Sequence, residues 1–110
     1  MATKKKTATK KPQKKLVIVA GDCGVYVGLL DGGAASVKDS TVHLMNARHL
    51  RRYYVMGKTG DGSSTDLAAR GLDPSSTSVT QPLIGLTTLL GVRRVLDVAD
   101  SAIDSFGVPK

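Results

Sequence analysis

The 110-residue chain has a net charge of +7, and residues 1–15 account for all of it, with seven Lys and no acid. In residues 16–110, three Lys and six Arg balance nine Asp. The length of the chain and this division of charge indicate a tail, residues 1–15, followed by one small domain, residues 16–110. A single cysteine, Cys23, excludes an internal disulfide and a multi-cysteine zinc site, and no apolar run reaches the roughly 18 residues of a membrane span.

The tail is predicted to contact nucleic acid. Its like charges repel and it lacks apolar residues, so we expect it to be disordered in isolation. Lysines gain affinity by displacing counterions from phosphates, whereas base readout uses arginine forks and aromatic stacking, which the tail lacks. An arm that only solubilises the protein is the alternative. The predicted nucleic-acid-binding residues are Lys4, Lys5, Lys6, Lys10, Lys11, Lys14 and Lys15.

Four strands are predicted in the first half of the body. The β-branched run 16–20, a turn at 21–24 and the alternating run 24–30 indicate a hairpin. Alternation of apolar and polar residues predicts a third strand over 41–45 and a fourth over 49–56.

A short helix is predicted after the Gly- and Ser-rich loop 58–65. Either Ser64 or Thr65 can cap its first turn, where Asp66 favours the positive end of the helix dipole. The helix is expected to end at Gly71, because glycine is the usual residue just past a helix.

The last third of the chain contains its most apolar segment. Residues 77–82 indicate a weak strand, and residues 83–99 fit either a long strand or a helix. The glycines and threonines favour a strand that bends at Gly91. A final short helix follows, in which Ile103 and Phe106 share one face. The fold class is therefore α+β, mainly an antiparallel sheet of five to six strands with two short helices and a disordered basic N-terminal tail.

Several motifs occur in a fixed order: VIVA with GVYVG, then NARHLRRYY, DLAARG and AIDSF. Because these motifs occur in this order, the body resembles a family of small phage and prophage proteins over most of residues 16–108. The family shares a Gly-Val-x-x-Gly strand, an Ala-Arg segment followed by aromatics, and a Leu-Ala-x-x-Gly helix end. Family members tend to have Trp in the aromatic stretch, where this chain has Tyr53 and Tyr54. The resemblance implies a phage setting, with the host cytoplasm or the virion as location, and no particular activity.

Arginines and a tyrosine form a candidate ligand site. If Leu50 and Arg52 share one face of a strand, Arg51 and Tyr53 share the other. Arginine pairs with phosphate and tyrosine stacks on a base, so an Arg/Tyr surface suits an anion with a flat ring. The alternative is that these arginines pair with aspartates on the surface or at a subunit contact. The predicted anion-binding residues are Arg48, Arg51, Arg52, Tyr53, Arg93 and Arg94.

Catalysis is not predicted. The GKT at 57–59 lacks the Gly that a P-loop needs five residues earlier, where Arg52 stands, although a simpler anion nest over 57–62 is possible. Cys23 and the two histidines, His43 and His49, have neither metal-ligand spacing nor a required catalytic pairing. We therefore predict no catalytic residue, no metal and no cofactor.

Two functional classes remain. A small β-rich body with exposed strand edges should form a homo-oligomer, because unpaired edges bind partners. The first class is a phage structural protein that self-assembles, contacts nucleic acid through its tail and can contact other virion proteins. The second is a non-catalytic oligomeric sponge that sequesters a small anionic defence signal resembling a cyclic nucleotide. No membrane partner is expected.

Overall fold

The structure, a computed structural model, describes residues 14–22, 24–57, 63–74, 76 and 78–109. Most of the predicted lysine tail, Cys23 and all but Gly57 of the predicted anion nest at 57–62 lie outside these residues. The described strands are β1 Lys14–Gly21, β2 Gly24–Asp31, β3 Val42–Arg52, β4 Ser78–Val79, β5 Leu83–Leu89 and β6 Val92–Asp97. The described helices are α1, Ser64–Arg70, and two 3₁₀ helices, Ala34–Ser36 and Asp100–Phe106.

All the strands pair in antiparallel fashion, which confirms the predicted α+β class. Both β4 and β5 lie along one side of β3, and β2, β1 and β6 follow in that order on its other side. The predicted hairpin is confirmed, with Lys14 opposite Asp31 at one end and Gly21 opposite Gly24 at the turn.

Residues 42–52 form one strand, so the prediction of separate third and fourth strands was wrong. Asn46 has φ of 54° and lies at a shift in the pairing with β2, where two residues of β3, 46 and 47, stand opposite one residue of β2. The extra residue of such a bulge inverts the side-chain alternation, so Val42, Leu44 and Ala47 all reach the same core. The break in alternation that separated the two predicted strands is therefore a bulge within the single strand β3.

The segment 83–97 is a bent strand, as its glycines and threonines indicate. Its first half, β5, pairs with β3, and its second half, β6, pairs with β1 on the far side of the sheet. Gly91, with φ of 70°, lies at the bend, and its carbonyl accepts a hydrogen bond from Asp22 N at 3.0 Å. A Cβ at Gly91 would lie 2.9 Å from the Asp22 carboxylate. One segment thus joins both sides of the sheet, which curls it.

Both faces of the sheet are buried near its centre, which explains four consecutive buried residues in β1. One face packs under α1 and the last 3₁₀ helix, where Ile103 and Phe106 both contact the core, as their spacing predicts. We call this the helix-side core: Leu16, Ile18, Val27, Leu29, Leu50, Val55, Leu67, Ala68, Leu72, Val98, Ala102 and Phe106. The other face holds the inner core: Val17, Val19, Val42, Leu44, Ala47 and Leu89.

The N-cap of α1 is Ser63, not Ser64 or Thr65 as predicted. Ser63 Oγ accepts a hydrogen bond from Asp66 N at 3.2 Å, which places the two predicted caps inside the helix. The helix ends before Gly71, as predicted, and Gly71 N donates to the carbonyl of residue 67 at 2.9 Å.

Candidate functional site

The Arg48 guanidinium is engaged by the main chain. Its Nε donates to Thr80 O at 2.9 Å, and its Nη1 donates to Phe106 O. These bonds connect β3 with the residue after β4 and with the end of the last 3₁₀ helix. Of the predicted ligand-binding arginines, Arg48 therefore has an evident role in holding the fold.

Arg51 and Arg52 are exposed at the end of β3. Tyr53 was expected to share the face of Arg51, opposite Leu50, but its ring is half-buried and packs on the helix-side core, which contains Leu50. The expectation fails because β3 ends at Arg52 and strand alternation does not extend beyond it. The predicted Arg/Tyr surface is thus not formed by Arg51 and Tyr53.

A different aromatic ring lies near Arg51. Tyr26 of β2 is paired with His49 of β3, and their rings stack with centroids 4.3 Å apart and planes at 4°. Gly24 makes room for the histidine, because a Cβ there would lie 2.9 Å from His49 Nε2. Burial, together with the charge of Arg51, lowers the pKa of His49 below its ordinary value. Sequence reasoning missed this pair because only the strand register brings the two rings together.

Arg93 and Arg94 are exposed on β6 and do not join Arg51 and Arg52. Two strands separate β6 from β3, a distance of about 14 Å along the sheet. Arg93 Nε forms an ion pair with Asp22 Oδ1 at 2.9 Å, and Arg94 Nη1 donates to a threonine hydroxyl of α1 at 3.3 Å. The ion pair is largely exposed and contributes little stability. The six predicted residues are therefore distributed over the fold.

Lys14 and Lys15, the described lysines of the tail, are exposed at the start of β1. Two grooves meet at Lys14. The larger, about 580 Å³, extends to Leu86 on β5, and the smaller, about 420 Å³, extends to Ile103 and Val108 of the C-terminal segment. The point where the lysine tail joins the body is therefore connected by a groove to β5.

Strand β5 carries most of the exposed large apolar side chains in the described residues. Their exposed fractions are 48% at Leu83, 80% at Ile84, 64% at Leu86 and 65% just beyond the strand at Leu90. Among the described strands β5 pairs only with β3, so its other edge has no partner. Residues 74–92 contain no charged residue, and this signal in the sequence could have identified the strand as a contact surface.

The described residues contain no group of three or more His, Cys, Asp or Glu positioned to hold a metal ion. No helix in the described ranges is long and apolar enough to cross a membrane. His43 Nδ1 lies 2.9 Å from Thr88 Oγ1 in an exposed contact between β3 and β5. Comparisons with protein-family models, curated proteins and solved structures found no match to this chain.

Proposed function

We propose that this chain is a non-catalytic structural protein that self-assembles and contacts nucleic acid through its lysine tail. The observation that carries the proposal is strand β5, which is apolar, uncharged and exposed. Natural edge strands are normally protected by charges, prolines or covering segments, because a bare edge pairs with other chains. A bare apolar edge in a stable protein therefore favours a physiological protein partner.

The lysine tail supports the nucleic-acid contact. Seven lysines precede a body of zero net charge, so the attraction for a polyanion is concentrated in one arm. The virion location rests on the resemblance of the GVYVG and NARHLRRYY segments to phage proteins. Packed phage DNA is a polyanion that a lysine-rich arm can bind without reading its sequence.

The test of the tail is a salt titration with random-sequence duplex DNA, followed by fluorescence anisotropy. The full chain is compared with a chain lacking residues 1–13, which removes five lysines and leaves β1 intact. We expect the slope of log affinity against log salt to decrease in magnitude by about 4–5 for each arm bound to the DNA, since each phosphate contact contributes about 0.9.

The matched control replaces two body cations, Arg93→Gln and Arg94→Gln. Both arginines are exposed, so these changes test whether any loss of positive charge has the same effect. We expect the control to change the slope far less than the truncation does. Equal DNA binding by the full and truncated chains would contradict the proposed role of the tail.

Capture of a small anion is the second candidate function, and the arrangement near Arg51 favours it. The charge of Arg51 lowers the pKa of His49, and the ring of His49 stacks on Tyr26. A cation and an aromatic pair are therefore close together. An anion with a flat ring could bind the cation and stack on the outer face of the pair. Calorimetry with a cyclic nucleotide tests this function: binding that is lost in Arg51→Gln supports capture, and absence of heat in the full chain contradicts it.

A further inference from the structure

We infer that the free edge of β5 binds the same edge of a second copy of the chain, so that an antiparallel strand pair joins two sheets. The inference rests on the proposed self-assembly and specifies its surface and partner. Because a two-fold axis relates identical surfaces, two copies of one edge strand pair antiparallel. The resulting dimer would contain one continuous sheet.

The exposed side chains point to pairing along the edge and not to packing on one face. Leu83 is paired with Ala47 of the inner core, whereas Leu86 is paired with Met45, which packs on the helix-side core. The two leucines therefore lie on opposite faces of the sheet, yet both are largely exposed. A partner on one face would cover one of them, whereas an added strand has neighbouring side chains on both faces.

The charge distribution favours a second copy as the partner. The edge belongs to the uncharged run 74–92, so an identical edge placed against it buries no unpaired charge. The adjoining larger groove is lined by two lysines and two aspartates, Lys14, Lys38, Asp31 and Asp39. Because the lysines and aspartates of each groove balance, an identical groove across the two-fold axis adds no net repulsion. Cations of one copy can approach anions of the other.

Pairing through β5 also affects the tails. The larger groove extends from Leu86 on β5 to Lys14, where the lysine arm joins the body. In the dimer the two arms therefore start beside the shared strand pair. Two linked arms bind one DNA molecule with greater affinity than one arm, because the second contact is intramolecular.

The test uses the full chain with a double substitution, Ile84→Thr and Leu86→Thr. Both side chains are mostly exposed, threonine is a good strand former, and the net charge is unchanged. The control is Met56→Thr, which removes an exposed apolar side chain away from β5. Circular dichroism checks that each variant is folded. Sedimentation velocity gives the mass, and anisotropy gives DNA affinity at a concentration where the wild type is assembled.

We expect the wild type and Met56→Thr to form dimers or multiples of dimers, and the double variant to be monomeric. The salt slope of the double variant should be about half that of the wild type, and its DNA affinity at least tenfold lower. Hydrogen exchange should show that half of the β5 amides lose protection in the double variant, because alternate amides face the edge.

The outcomes separate this inference from the proposal on which it rests. If the wild type assembles and the double variant assembles equally well, β5 is not the interface, while self-assembly itself stands. If the wild type is monomeric at every concentration but binds DNA through its tail, both the inference and self-assembly are wrong. If the double variant is monomeric with unchanged DNA binding, the coupling between pairing and the two arms is wrong.

Discussion

Replacing Arg48 with methionine should destabilise the protein strongly, because the guanidinium connects three segments of the chain. Its two hydrogen bonds to the carbonyls of Thr80 and Phe106 are part-buried. A hydrogen bond from a charged donor contributes about 1.5–3 kcal/mol, and partial exposure favours the lower end. We therefore expect a loss of about 3 kcal/mol in the free energy of unfolding, a large fraction of the roughly 5–15 kcal/mol typical of a domain.

The measurement is urea denaturation followed by circular dichroism, with Arg51→Met as the matched control. Arg51 lies on the same strand but is exposed, so its replacement should change the free energy of unfolding by less than about 0.5 kcal/mol. Thermal denaturation should show a decrease in Tm of roughly 12–20 °C for Arg48→Met. A loss below about 1 kcal/mol, or equal losses in the two variants, would refute the structural role of Arg48.

Four further outcomes are expected. Phe106→Ala should lower the free energy of unfolding by about 4 kcal/mol in urea, since its ring is fully buried; a loss under about 2 kcal/mol would contradict this packing. Asn46→Val should cost about 1–2 kcal/mol more than Asn46→Gly in the same assay, because Asn46 has positive φ; equal costs would argue against the bulge. The pKa of His49 is lowered, so its contribution to stability should decrease as pH falls below about 6.5, where the unfolded chain takes up the proton first. In an NMR titration Arg51→Gln should raise that pKa, and an unchanged value would show that the guanidinium does not act on His49.

Features that depend on neighbouring residues could be predicted from the sequence. The first hairpin follows from two β-branched runs around a glycine-rich turn, and α1 follows from its polar start and Gly71. The bend at Gly91 was also predictable, because glycine tolerates the backbone conformation that a sharp bend requires. In each case the determining interactions lie within a few residues along the chain.

Features that depend on distant partners could not be predicted. The bulge at Asn46 inverts the alternation, and recognising it requires the pairing of β3 with β2. Arg48 resembled a ligand-binding residue because the carbonyls that it contacts are 32 and 58 residues away. The stack of His49 on Tyr26 likewise depends on strand register. The uncharged run 74–92 marks β5 as a contact surface in the sequence, but the sheet order is needed to show that the strand lies at an edge.

The measurement that tests self-assembly most directly is native mass spectrometry of the full chain over a range of concentrations. The account predicts even multiples of the 11.5 kDa chain, beginning with the dimer, with no bound small molecule. A mass of one chain at every concentration would contradict self-assembly. An assembly that carries a stoichiometric adduct of nucleotide size would contradict the structural role and favour capture of a small anion.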